Sequence, residues 1–188
     1  MQNSNKGITP LKEQIEPKVG TFFAHTSPTL GVRNHNPLNI RYLVTNKWLG
    51  LSKTTPNVKG FCHFDCMDYG LRAAIILLLN YIRKRGCTTP RQIITRWAPP
   101  TENDTEAYVK NVLKLAGIGG KEKLLPPSNV LSYGRLSRMM SAMTIIECGI
   151  PTREVDEEAI AQGYKLAFPS NREKLDKWLL DEDEYRYW

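Results

Sequence analysis

The spacing of apolar residues predicts a mainly helical chain, and the clearest signal covers residues 68–85. Apolar side chains recur there at intervals of three and four positions, so they share one face of a helix. These side chains are Leu71, Ile75, Leu78, Leu79 and Ile82. Asp68 is a suitable N-cap, and Gly86 is a suitable residue to end the helix. The pattern therefore predicts a long amphipathic helix with one buried face.

Proline, glycine and capping residues divide much of the remaining chain into shorter helical segments. The predicted helices cover residues 91–97, 102–116, 129–147, 153–167 and 172–180. Thr101 is the expected N-cap of the second of these helices.

Residues 38–67 are richer in β-branched and aromatic residues and in turn residues, which is typical of short strands. The predicted strands cover residues 39–44, 47–52 and 60–66. Because the strands are consecutive and the helices follow them, the predicted fold class is α+β. It is mainly helical, with a small three-stranded antiparallel sheet.

The chain of 188 residues is long enough for one domain with a hydrophobic core. Residues 1–32 are predicted to form an N-terminal arm with little regular structure beyond one short helix at 11–15. The domain would cover residues 33–168. Residues 169–188 would form a C-terminal helix followed by an acidic, aromatic tail.

Charge is distributed unevenly along the chain. Residues 1–100 contain 14 Lys and Arg against 4 Asp and Glu, whereas residues 101–188 contain 12 against 15. A basic half favours an anionic partner, such as nucleic acid, a cell-wall polymer or an anionic lipid surface. Nucleic acid is the least favoured of the three because the chain carries no nucleic-acid-binding motif.

The apolar stretches are short. The longest, residues 73–79, is far below the roughly 20 residues that a membrane span needs, so we expect no such span. Residues 1–6 lack the apolar core of a secretory signal, and we expect synthesis in the cytoplasm with reduced thiols.

Cys62, His63 and Cys66 resemble one half of a zinc site. A zinc site needs about four ligands, usually in two close pairs, and Cys87 and Cys148 are isolated in the sequence. Nucleotide-binding and metalloprotease motifs are absent from the sequence as well. We therefore expect neither a metal nor a cofactor.

Two glutamates are candidates for acid–base chemistry, for opposite reasons. Glu147 lies at the C-terminal end of an apolar helix, where its surroundings and the helix dipole both favour the protonated carboxyl. Glu102 lies in the first turn of its predicted helix, where the dipole stabilises the anion. Each has a structural alternative, because Glu147 precedes the C-capping Gly149 and because Thr101 with Asp104 resembles a capping box.

The segment 33–41, RNHNPLNIR, is too polar for a core strand and too rich in Asn and Pro for a helix interior. Asn and Pro favour tight turns. A polar turn that leads into a strand is a common position for a substrate cleft, and a plain surface turn is the alternative.

Several motifs follow one another in the order found in a known group of proteins. They are the 33–41 segment, Trp48-Leu49-Gly50, Phe61-x-x-Phe64, DYGLRA at 68–73 and RWAPPTENDTEAY at 96–108. Together they resemble the lysozyme-like virion and lysis proteins of phages and prophages, in particular those of Bacteroides-type hosts. The resemblance covers about residues 31–165.

A weaker likeness links residues 36–41 to the strand entry of bacterial glucosaminidases, and more distantly to lytic transglycosylases. In the glucosaminidases the catalytic Glu lies on a helix that precedes this strand. The nearest match here, Glu147-Cys148-Gly149, follows the predicted sheet instead. A circular permutation of the lysozyme-like elements would account for this order.

The resemblance implies a lysozyme-like fold and an endolysin-like enzyme that degrades peptidoglycan, as a hydrolase of the glycosidase type or as a lytic transglycosylase. Glu147 would protonate the glycosidic oxygen, and Glu102 would stabilise the developing positive charge or activate water. The residues expected to bind substrate are Asn36, Asn39, Arg41, Trp48, Trp97, Asp104 and Tyr108.

The expected partners are the glycan strands of peptidoglycan, together with other virion proteins. After synthesis in the host cytoplasm, the protein would act at the cell wall or as part of a phage particle. The alternative is a catalytically inactive virion structural protein, or a wall-binding protein, with the same fold.

Overall fold

The computed structural model describes residues 29–124, 130–150 and 157–167. Its elements, in chain order, are α1 (Leu30–Arg33), β1 (Asn57–Val58), β2 (Phe61–Cys62), α2 (Met67–Arg85), α3 (Pro90–Trp97), α4 (Thr105–Ala116), α5 (Val130–Cys148) and α6 (Glu157–Ala167). None of these helices is long and apolar enough to cross a membrane. The predicted helices at 11–15 and 172–180, and the acidic tail, lie outside the described residues.

Helix α2 runs through the hydrophobic core and confirms the strongest sequence prediction. All five residues of its predicted apolar face are buried. The helix begins after Cys66 and ends at Gly86, which adopts a left-handed conformation with φ of 65°. Helix α6 packs closely on α2 at Gly163. A Cβ atom at this position would lie only 2.8 Å from the Cβ of Leu71.

Helices α3 and α4 are joined by a turn that shifts the start of α4 from its predicted position. Thr89 and Gln92 form a capping box at the start of α3. Helix α4 begins at Thr105 with Asp104 as its N-cap, so Thr101 does not cap it. The preceding residues 99–103 form a turn, in which the Pro99 carbonyl accepts the backbone N–H groups at 102 and 103.

The predicted three-stranded sheet is replaced, among the described residues, by a two-stranded antiparallel hairpin. Asn57 pairs with Cys62 and Val58 with Phe61. The segments 39–44 and 47–52 meet this hairpin only through single bridges, Arg41 to Phe61 and Leu51 to Phe64. Positive φ values at Asn39 and Gly50 turn both segments away from an extended path. The class is still mixed, with helices predominating.

The turn predicted within the 33–41 segment is present, and its centre is buried. We refer to residues 34–41 as the polar turn. The Asn36 side chain accepts a hydrogen bond from the Ile40 N–H at 2.8 Å and donates to the carbonyls of Ile40 and Cys62 at 3.0 and 2.9 Å. The turn rests on the start of α2, where a Cβ at Gly70 would lie 1.8 Å from the His35 carbonyl oxygen. Glycine is therefore required at this contact.

Candidate active site

A cleft of about 550 Å³ lies beside the polar turn. Its lining comes from five parts of the chain: residues between 38 and 46, Phe61 of β2, the C-terminal half of α2, residues between 96 and 103, and the end of α5. Glu147 and Glu102 are the two carboxylates among the lining residues. The two candidates that the sequence selects therefore open onto the same cleft.

The Glu147 carboxylate is held by three side chains from three other parts of the chain. Oε1 accepts hydrogen bonds from Trp97 Nε1 at 3.0 Å and from the Tyr108 hydroxyl at 2.9 Å. Oε2 accepts a hydrogen bond from Asn39 Nδ2 at 3.0 Å. The apolar setting predicted for Glu147 is thus, at the carboxylate itself, a set of polar donors. All three groups donate, so the carboxylate accepts hydrogen bonds through both of its oxygens.

The end of α5 is fixed to the polar turn, and this contact positions Glu147. Asn39 Nδ2 also approaches the backbone carbonyl of Glu147, at 3.3 Å. The Cys148 thiol donates to the Pro37 carbonyl at 3.5 Å. Gly31 of α1 packs beside both Asn39 and Cys148, which leaves little room for a larger side chain at that position. The carboxylate is therefore anchored through its backbone as well as through its side chain.

Burial and the negative charge of Glu147 perturb two neighbouring groups. The pKa of the Tyr108 hydroxyl is raised well above its usual value, first by burial, then by the charge of Glu147 and by the hydrogen bond it donates to Glu147. Burial, followed by the same charge, raises the pKa of the Cys148 thiol to about 12. Tyr108 consequently remains a neutral hydrogen-bond donor at physiological pH.

Glu102 occupies a different environment from the one predicted. It lies in the 99–103 turn, before the start of α4 at Thr105. The prediction that Glu102 lies in the first turn of this helix is therefore wrong. Its Oε2 pairs with Arg41 Nη2 at 3.1 Å, and the two side chains are 58% and 74% exposed. Glu102 and Arg41 therefore form a solvent-exposed ion pair at the cleft.

The structure brings together some of the residues expected to bind substrate and separates others. Asn39, Trp97 and Tyr108 surround Glu147, as described above. Asn36 is fully buried and commits its amide to the polar turn, and Trp48 lies in the hydrophobic core. Asp104 caps α4 by accepting the N–H of Ala107 at 3.0 Å. These last three residues stabilise the fold, and none of them lines the cleft.

Several lining residues come from α2 and were missed in the sequence analysis. They are Leu77, Asn80, Tyr81, Lys84 and Arg85. All five positions follow the intervals of one helix face, distinct from the predicted apolar face, and this periodicity was the available signal. Arg96, which precedes Trp97, also lines the cleft.

The described residues contain no group of three His, Cys, Asp or Glu side chains that could hold a metal ion. Cys62 and Cys66 are buried free thiols. The charged and hydrogen-bonding groups that line the cleft are the Glu147 carboxylate, the Glu102–Arg41 ion pair, and further Asn, Lys and Arg side chains.

The fold and the cleft together define a small, mainly helical α+β protein in which a hydrogen-bonded carboxylate lines a cleft. The chain belongs to the same family as protein P5 of Pseudoalteromonas phage PM2. The two are 34% identical over 140 residues, which make up 73% of this chain and 81% of P5. No protein-family model matches the chain.

The relationship to P5 agrees with the phage origin that the sequence motifs indicate. The lysozyme-like fold, its circular permutation and the Bacteroides-type host stay predictions.

Proposed function

We propose that this protein cleaves the glycan strands of peptidoglycan, with Glu147 as the acid and base. One observation carries the proposal: the Glu147 carboxylate lines a cleft and is oriented there by three donated hydrogen bonds. Glycosidic cleavage requires a carboxyl group in a fixed position beside the leaving oxygen.

The hydrogen bonds indicate which oxygen of Glu147 exchanges the proton. A carboxylate oxygen offers about two acceptor positions. Trp97 and Tyr108 fill both positions on Oε1, whereas Asn39 fills one on Oε2. Oε2 keeps one position, so in the proposed reaction Oε2 carries the proton.

The reaction then follows from a single carboxyl group. Glu147, protonated at Oε2 by solvent, donates this proton to the glycosidic oxygen, and the bond between this oxygen and the anomeric carbon breaks. Either water or the C6 hydroxyl of the same sugar attacks the anomeric carbon, and the Glu147 carboxylate takes up the proton of the attacking group. Water gives a hydrolysed product, whereas the C6 hydroxyl gives an anhydro-sugar.

The environment of Glu102 favours a mechanism in which Glu147 is the only catalytic carboxylate. A second catalytic carboxylate has to be held beside the sugar ring as a nucleophile or as a base. Glu102 is exposed and paired with Arg41 instead. We therefore assign it a supporting electrostatic role at the cleft.

The test is digestion of purified peptidoglycan, followed by mass spectrometry of the fragments. Wild-type protein should release muropeptides, and the masses distinguish hydrolysed ends from anhydro ends. Glu147→Gln should release almost none. Glu122→Gln is the matched control, because Glu122 is a partly exposed carboxylate that pairs with Arg135 at 2.8 Å and does not line the cleft.

Absence of fragments from correctly folded wild-type protein would refute the enzyme proposal. Full activity of Glu147→Gln would refute the assignment of the acid.

A non-catalytic virion or wall-binding role is the second candidate. It is favoured by the way in which Glu147 links the polar turn, α3 and α4, as a structural carboxylate would. In that case wild-type protein would sediment with purified walls, or bind other virion proteins, without releasing fragments. Glu147→Gln would then lower the midpoint of thermal unfolding as its main effect.

A further inference from the structure

A second groove continues from the cleft along the outer face of α3. It has a volume of about 740 Å³ and shares Tyr81, Arg85 and Arg96 with the cleft. Its lining includes three arginines, Arg85, Arg91 and Arg96, and no Asp or Glu. We call this feature the arginine groove.

Two of these arginines contact side chains of neighbouring helices. The Arg96 guanidinium lies over the Tyr81 ring, 5.4 Å from its centroid, an arrangement that limits the orientations of the guanidinium. Arg91 pairs with Glu106 at 2.6 Å, and the two side chains are largely exposed. An exposed pair of this kind is worth little, so Arg91 can exchange Glu106 for another anion at small cost.

The groove meets the cleft at Arg96, which lines both. Arg96 is adjacent in sequence to Trp97, whose indole N–H binds Glu147. A polymer whose backbone occupied the cleft would therefore direct into the groove any group that branches off beside the bond being cleaved. A guanidinium binds a carboxylate through two parallel hydrogen bonds, so the branch that fits best carries carboxylates.

We propose that the arginine groove binds the carboxylates of the peptide stems that branch from the muramoyl residues of peptidoglycan. This inference rests on the proposed function, and it adds that the substrate is glycan that still carries its stems. Arg91 and Arg96 contact the stem, and Glu147 acts on the glycan.

Binding can be measured without cleavage in a Glu147→Gln background. Two ligands are compared: soluble glycan strands with intact peptide stems, and the same strands after an amidase has removed the stems. Adding Arg91→Gln and Arg96→Gln together should weaken binding of the stem-bearing strands by about five- to tenfold. Binding of the stem-free strands should stay within about twofold. Arg96→Lys, which keeps the charge but not the planar fork, should restore only part of the lost affinity.

The matched control is Lys110→Gln with Lys114→Gln. It removes two exposed charges from α4 that line neither the cleft nor the arginine groove. An equal loss in this control would refute specific recognition by the arginines. Equal loss on stem-free strands would refute recognition of the stem. Arg91→Gln alone, together with thermal unfolding of every variant, separates lost binding from lost packing of Arg96 on Tyr81.

Other results would overturn the proposal in distinguishable ways. Tight, salt-sensitive binding of a short DNA duplex that Arg91→Gln and Arg96→Gln abolish, with binding of walls unchanged, would make the groove a nucleic-acid site. Suppose that the protein with an intact Glu147 cleaves walls, but the arginine variants bind stem-bearing and stem-free strands equally well or lose both equally. In that case only the proposal of a stem site is refuted. If the protein neither cleaves nor binds either strand, the proposed function fails as well.

Discussion

The end of α5 and the 99–103 turn each contribute one glutamate to the same cleft, but the two carboxylates have very different surroundings. Glu147 receives three hydrogen bonds from side chains that lie far from it in sequence. Glu102 makes one exposed ion pair with Arg41. Two carboxylates in one cleft therefore differ in how firmly their position is determined, and firm positioning is what acid–base catalysis needs.

The largest expected effect comes from exchanging each glutamate for glutamine. Glu147→Gln should lower the rate of fragment release from purified peptidoglycan by about 10³-fold, since it removes the group that transfers the proton. Glu102→Gln should lower it by less than about tenfold, because only an exposed charge is lost. A larger loss in Glu102→Gln than in Glu147→Gln would reverse the comparison.

Removing a single donor to Glu147 should have a smaller effect. Trp97→Phe and Tyr108→Phe keep an aromatic ring but leave Oε1 with one hydrogen bond instead of two. Each should lower the rate of fragment release by roughly 10- to 100-fold, because the carboxyl group is less well oriented. Tyr42→Phe is the matched control, since Tyr42 does not line the cleft. Losses below about twofold would show that the donors serve folding alone.

Stability at high pH provides a further test of the Glu147 site. The pKa of Tyr108 is raised in the folded protein from the usual value of 10.0. Between the two pKa values the folded state keeps a proton that the unfolded state releases, so the free energy of unfolding falls as the pH rises above about 10. Tyr108 contributes at most about 1.4 kcal/mol of this fall per pH unit. The contribution of Tyr108 is fully present as stability below pH 10 and is lost as the pH rises.

Tyr108→Phe should therefore lose less stability than wild type between about pH 10 and 11, as measured by urea unfolding. Other buried groups, such as the Cys148 thiol, titrate in the same range, so the difference between the two proteins is the relevant quantity. An identical slope in wild type and Tyr108→Phe would contradict the raised pKa of Tyr108, which comes first from burial and then from Glu147.

The smallest expected effect concerns the ion pair at the cleft. Glu102→Gln should change the free energy of unfolding by less than about 0.5 kcal/mol, because an exposed pair gains little over its solvated charges. Urea unfolding at low and at high salt measures this change. If the free energy of unfolding fell by several kcal/mol, the 99–103 turn would depend on Glu102. Glu102 would then be held more firmly than its exposed ion pair indicates, and it would differ less from Glu147.

Local patterns in the sequence predicted much of the helical structure. The intervals of the apolar residues placed α2 within one or two residues at each end, since a helix that buries one face must repeat every three to four positions. Thr89 and Pro90 stand at the start of α3, and a glycine follows each of α2 and α4, which are common residues at helix termini. The strands were predicted less well, because their formation depends on partners elsewhere in the chain.

The sequence by itself determined helices α2 to α6, though not α1, together with the polar turn and the choice of Glu147 as a candidate, because each depends on residues within a few positions of one another. Only the tertiary structure decided what Glu147 touches, since Asn39, Trp97 and Tyr108 lie 108, 50 and 39 residues away from it. It also decided that Asn36 is buried while Asn39 reaches the cleft, although both belong to one polar turn. Such differences arise from the packing of α1, α2 and α5 on the turn, and the spacing of residues along the sequence does not show that packing.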